Sequence, residues 1–154
     1  MRIWRVISFT AALTTAACGG TGPSMTGPSP TPTMTGAWVG ATSDSTGSMM
    51  GAGLTASMMD NTTWTVTQSG STFTGTMRFA GYMGSAITVS GVMNGHSGTF
   101  TMTMPSGSMM SGSCAATATG TFDMDDMMTQ FRGTYGGVNS CTGAFDQGQV
   151  LMHR

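Results

Sequence analysis

The alternation of threonine with large apolar residues constrains this chain more than any other feature. In Thr72 to Phe79, residues Phe73, Gly75, Met77 and Phe79 share one face, while Thr72, Thr74, Thr76 and Arg78 share the other. Phe100, Met102 and Met104 oppose Thr99, Thr101 and Thr103, and Trp64 and Val66 oppose Thr65 and Thr67. Ile87 and Val89 oppose Thr88 and Ser90; Phe131, Gly133 and Tyr135 oppose Gln130, Arg132 and Thr134. Successive side chains of a strand point to opposite sides, so each segment reads as a strand with an apolar inner face and a threonine outer face. Helices are disfavoured from the other direction. The chain has no Lys and no Glu, Leu is scarce, and Thr, Ser and Gly dominate.

The pattern predicts strands at 37–44, 53–58, 63–68, 72–79, 86–92, 98–104, 115–122, 129–135 and 144–152, with 53–58 the weakest. Ser69-Gly70-Ser71 and Asn94-Gly95 read as hairpin turns, where φ > 0 is needed. A loose repeat (Gly75-Thr-Met, Gly98-Thr-Phe, Gly120-Thr-Phe, Gly133-Thr-Tyr, Gly143-Ala-Phe) has irregular spacing and does not indicate a solenoid. Antiparallel strands with short links point to an all-β fold, an up-and-down β-barrel of about eight strands, since closure removes exposed edges. The alternative is a β-sandwich. Glycines on inward faces (Gly75, Gly91, Gly133) read as bends, the other reading being room for a ligand.

Met1 to Ala17 reads as a signal peptide. Arg2 and Arg5 start it, Val6 to Leu13 are mostly apolar, and Thr15-Ala16-Ala17 are small. Cys18, directly after this run, resembles the acylated cysteine of a bacterial lipobox, although Thr15 stands where Leu is usual. Lipidation of Cys18 would anchor the chain to a cell envelope membrane. Gly19 in place of aspartate favours the outer membrane of an organism that has one. The apolar run is too short and too rich in Ser and Thr for a spanning helix. Residues 18–36 hold most of the prolines and read as a flexible tether, which leaves 37–154 as one domain.

Three cysteines in an exported chain leave one unexplained. If Cys18 carries lipid, Cys114 and Cys141 make one disulfide. With strand 129–135 between them, two strand spacings come to about 9.5 Å. That exceeds the usual disulfide Cα separation of about 4.4–6.8 Å, so loop 136–141 is expected to fold back over the barrel end.

The charge pattern argues against nucleic acid, because three arginines (Arg78, Arg132, Arg154) face six aspartates beyond the signal. Nothing resembles a nucleophile elbow, a phosphate loop or a CxxC motif, and a non-enzymatic domain is expected. Asp123, Asp125 and Asp126 read as a solvated hairpin tip rather than a calcium loop. The expected function is binding of a small apolar ligand or of an envelope partner, or else a structural module without a cavity.

Methionine offers a competing reading. There are 18, including the adjacent pairs Met49-Met50, Met58-Met59, Met109-Met110 and Met127-Met128. Thioethers suit Cu(I), and the up-and-down count gathers Met49, Met50, Met93, His96, Met127 and Met128 at one mouth. Such residues also absorb oxidants as sulfoxide. Against this, methionine serves as a core filler where Leu is scarce.

Gly36-Ala37-Trp38 at the first strand, with Arg154 ending the last, resembles the calycin pattern of lipocalins and avidins. The resemblance implies that Trp38 plugs one barrel end and that Arg154 packs across it. The domain is also similar to small bacterial lipoproteins with lipocalin-like barrels. The shared features are Trp38-Val39-Gly40, the hairpin from Thr67 to Thr76 and the late cysteine pair. No ligand residues of those families can be matched here.

Overall fold

The computed structural model of the chain describes residues 32–43, 62–80, 85–107 and 114–154. The chain divides into two units, Met1–Pro30 and Thr31–Arg154, and every described residue belongs to the second. The expected strand at 53–58 and the signal and lipidation residues lie outside the described residues.

Eight strands follow one another: β1 (Gly36–Ser43), β2 (Thr62–Ser69), β3 (Thr72–Phe79), β4 (Ile87–Asn94), β5 (Ser97–Met104), β6 (Ala116–Met124), β7 (Gln130–Asn139) and β8 (Gly143–His153). Each pairs antiparallel with its sequence neighbours, and β1 pairs with β8, closing an up-and-down barrel. The alternation therefore does what the sequence predicts, and the sandwich is excluded. Gly70 and Gly95 sit at φ +60 and +63 in the two tight hairpins.

Closure depends on β1 serving two partners. Residues 36–40 pair with β2, residues 39–43 pair with β8, and Gly40 stands in both ladders. A side chain at Gly40 would strike the Leu151 carbonyl and the Met152 backbone. Glycine lets the two strands approach closely enough to complete the ring.

The interior is filled from wall to wall. Trp38, Trp64, Phe73, Phe100, Phe122 and Phe131 are all 2% exposed or less. Their rings form a continuous network through Trp38–Phe131 (5.0 Å between centroids), Trp64–Phe131 (5.3 Å), Phe122–Phe131 (5.5 Å) and Trp64–Phe100 (5.6 Å). Tyr135 extends it to Phe145. The Trp64 indole N–H has no hydrogen-bond partner among the described residues, and the Phe100 and Phe131 rings pack against the indole ring.

Eight strands enclose little space, and these rings fit because glycines face them. One register row reads Phe73–Gly91–Phe100–Gly120–Tyr135–Gly148 across β3 to β8, alternating ring and glycine without a break. A second row reads Met93–Gly98–Phe122–Gly133–Val150 across β4 to β8. The Phe73 ring lies where a side chain at Gly91 would go, and a Cβ at Gly120 would stand 2.6 Å from the Phe100 ring. Inward glycines such as Gly91 and Gly120 thus make room for neighbouring rings, a role different from both expected ones, bends and room for a ligand.

The cysteine geometry corrects one expectation. Cys114 and Cys141 are bonded, with Cα atoms 5.6 Å apart. No loop folds back, because β7 runs on to Asn139 rather than ending at 135. Ala116 faces Asn139 across adjacent strands. The cysteines lie two residues beyond that pair in the same register. The Ser140 N–H donates to the Ala115 carbonyl at 2.8 Å, carrying the ladder toward the bond. Cross-linking residues 27 apart stabilises by about 3–4 kcal/mol on the chain-entropy model.

Adding a side chain to the ring–glycine rows should destabilise the fold sharply. Gly120→Ala is expected to cost about 1–3 kcal/mol, while Thr119→Val, one residue away on the outer face, should stay within about 0.5 kcal/mol. Denaturant midpoints of the two variants check this, and equal small effects would contradict the packing.

Candidate functional site

The up-and-down order sorts the links onto two ends. The turns 70–71 and 95–96, the link 125–129, residues 32–35 and Arg154 share one end, which Trp38 marks. The disulfide marks the other.

The Trp38 end is closed. Arg154 lies over the Trp38 ring, its guanidinium carbon 4.1 Å from the centroid. Its two terminal nitrogens donate to the Thr33 and Thr35 carbonyls. Partial burial pulls the guanidinium below the ordinary arginine value, and the negative charge of Asp125 opposes this. Met34 belongs to no strand and is fully buried. Its carbonyl accepts from Trp38 Nε1 at 2.9 Å, and its N–H donates to Gln68 Oε1 at 2.6 Å. Gln68 N donates to Thr35 Oγ1 at 2.9 Å. Residues 32–35 are therefore fastened to the barrel although they fall on the tether side of the expected boundary. Gly36, Trp38 and Arg154 come together at this end.

The methionine and histidine residues distribute as follows. Met93 is buried in the core, Met128 packs against it, and Met127 is 81% exposed. His96 Nδ1 lies 3.2 Å from the Asp125 carbonyl oxygen, and Met124 N donates to the His96 carbonyl. These residues share the Trp38 end. Met49 and Met50 lie outside the described residues, in the link that leaves β1 at Ser43 and enters β2 at Thr62. Both of those strand ends are at the disulfide end.

Asp125 organises the β6–β7 link. Its Oδ1 accepts from the backbone N–H groups of Thr129 (2.7 Å) and Gln130 (2.9 Å), and its Oδ2 accepts from Thr129 Oγ1 (2.8 Å). Both carboxylate oxygens thus serve the chain itself. Among the described residues, no cluster of His, Cys, Asp or Glu is arranged to hold a metal ion.

The sequence reading missed a feature of the outer wall. A shallow groove of about 1050 Å³ runs round the waist from β3 to β8. It follows two register rows: Thr74–Ser90–Thr101–Thr119 and Thr72–Val92–Thr99–Thr121–Thr134. A second concavity of about 660 Å³ shares Thr121 and Thr134 and carries the latter row on through Gln149 to Ser43. The groove also touches Phe73, Gly91, Phe100, Gly120 and Tyr135, whose side-chain positions face the core. At the ring–glycine row only backbone separates solvent from the core.

An irregularity borders the groove. Between Tyr135 and Gly137 the β7–β8 register slips, and Gln147 takes φ +59. Such a bulge re-aims side chains, here in the stretch that brings Asp146 and Gln147 to the groove. The threonine alternation signals the hydroxyl faces, but their alignment into rows requires the register. Nothing in the sequence marks Gln147.

No protein-family model, curated protein or solved structure matches the chain.

Hydrogen bonds from Gln130 and Thr129 hold the Asp125 carboxyl below its ordinary value of 3.8. The stabilisation is complete above the unfolded-state value and is lost as pH falls through the lower folded one. The Thr129 and Gln130 amide NMR shifts should titrate with a midpoint below 3.8. A midpoint at or above that value would contradict the assigned bonds.

Proposed function

We propose that this chain is a non-enzymatic, lipid-anchored domain of a bacterial cell envelope, held through Cys18 and acting through its outer surface on an envelope partner. The observation that carries this reading is the filled interior. Lipocalin-like barrels bind apolar ligands inside. Here Trp64, Phe73, Phe100, Phe131 and Tyr135 occupy that space. The grooves that involve the described strands are lined chiefly by outward-facing residues. Of the functions expected from the sequence, this favours a partner surface over an internal apolar ligand.

The export reading rests on the N-terminal sequence. Arg2 and Arg5, the apolar run and the small residues before Cys18 supply the signal, and Gly19 favours the outer membrane. The Cys114–Cys141 bond supports an oxidising compartment, and it leaves Cys18 as the single unpaired cysteine available for lipid.

Mass spectrometry of the native protein tests the anchor. The expected N-terminal peptide begins at Cys18 and carries acyl mass, and Cys18→Ser releases the protein from the membrane fraction. An unmodified Cys18, or a Cys18→Ser protein that stays membrane-bound, would overturn the anchoring.

A further inference from the structure

The geometry points to the waist groove as the binding face for a neutral polysaccharide chain. This rests on the reading of the protein as an exported domain that works through its outer surface, and it names the partner's chemistry.

The groove is built from hydroxyls and an apolar base. Thr101, Thr119, Thr121 and Thr134 line it on successive strands. Each hydroxyl both donates and accepts, as a sugar hydroxyl does. Between these rows lie Gly91 and Gly120, and the 46%-exposed Val92 interrupts the hydroxyls of the second row. A pyranose has the same division, with C–H groups on its faces and hydroxyls round its rim. The floor between the rows is bare backbone on this face, because the side-chain positions of Gly91 and Gly120 lie on the inner face, where the Phe73 and Phe100 rings fill them.

Charge narrows the occupant. No Lys or Arg lines this groove, and its one charged side chain is Asp146. Nucleic acids and anionic polysaccharides need cations that are absent from this lining. Protein interfaces concentrate their energy in Trp, Tyr and Arg; none of these is exposed in the groove, where Tyr135 is buried. An uncharged, polyhydroxylated chain is the macromolecule that this lining fits. Within this groove the row from Thr72 to Thr134 crosses five strands, roughly 19 Å along the wall at about 4.8 Å per strand. That length suits an extended polymer better than a single sugar.

The test is depletion of the full chain, in detergent, by cellulose, amylose and cross-linked dextran, with calcium alginate as the anionic contrast. At least one neutral polymer should bind it, with little dependence on salt. Joint replacement Thr101→Val, Thr119→Val, Thr121→Val and Thr134→Val keeps side-chain shape and strand preference but removes the hydroxyls. It should weaken binding by about tenfold or more. The matched set Thr63→Val, Thr65→Val, Thr76→Val and Thr117→Val lies outside both grooves and should stay within about twofold. Val92→Arg, an exposed change in the groove, should also weaken binding and serves if the fourfold variant misfolds. Depletion by none of the neutral polymers, depletion by alginate alone, or equal losses in the two threonine sets would overturn the proposal. None of these outcomes bears on Cys18 acylation, which is read separately.

Discussion

The interlock of aromatic rings with glycines across the hydrogen-bond ladder is the constraint on which the rest of the structure depends. In the row from Phe73 to Gly148 every ring has a glycine beside it on the next strand. Glycine in a strand weakens it by roughly 0.5–1 kcal/mol. Burying a Phe side chain returns about 1.5–3 kcal/mol, and edge-on ring pairs such as Phe73–Phe122 and Tyr135–Phe145 add to it. The exchange favours a narrow barrel with a solid centre. It also fixes register: a slip by one residue would turn every ring outward and every threonine inward.

The same interlock shapes the outside. Where a residue points inward, ring or glycine alike, its outer face is bare backbone and the surface dips. Where the outer residue is threonine, the rim of that dip is a hydroxyl. The waist groove is therefore a consequence of core packing. Closure at the Trp38 end follows a separate logic. Arg154 caps Trp38, while Gln68 and the indole N–H bind the segment around Met34. A residue outside the strands becomes part of the core.

The fold was legible because its period is strict. Segment 72–79 is called strand by alternation alone, and β3 spans Thr72–Phe79. The ends of β4 and β7 were less legible. Met93-Asn94 and Gly136 to Asn139 mix glycine and polar residues, and their pairing depends on neighbours far along the chain. Underestimating β7 is what made the cysteine pair look too distant. Trp38 and Arg154 could be matched through a resemblance, but Met34 and Gln68 carry no local signal. The groove was partly visible as threonine faces. Its two rows depend on strand register, and Gln147 has no sequence signature at all.

The central claim is that rings occupy the space above the inward glycines, and NMR reads it directly. Ring currents should move one Hα of each of Gly91, Gly98, Gly120 and Gly148 strongly upfield, with NOEs to Phe73, Phe122, Phe100 and Tyr135 respectively. Ordinary Hα shifts at these glycines, without those NOEs, would mean an interior that is not interlocked, and the account of both the core and the groove would fail.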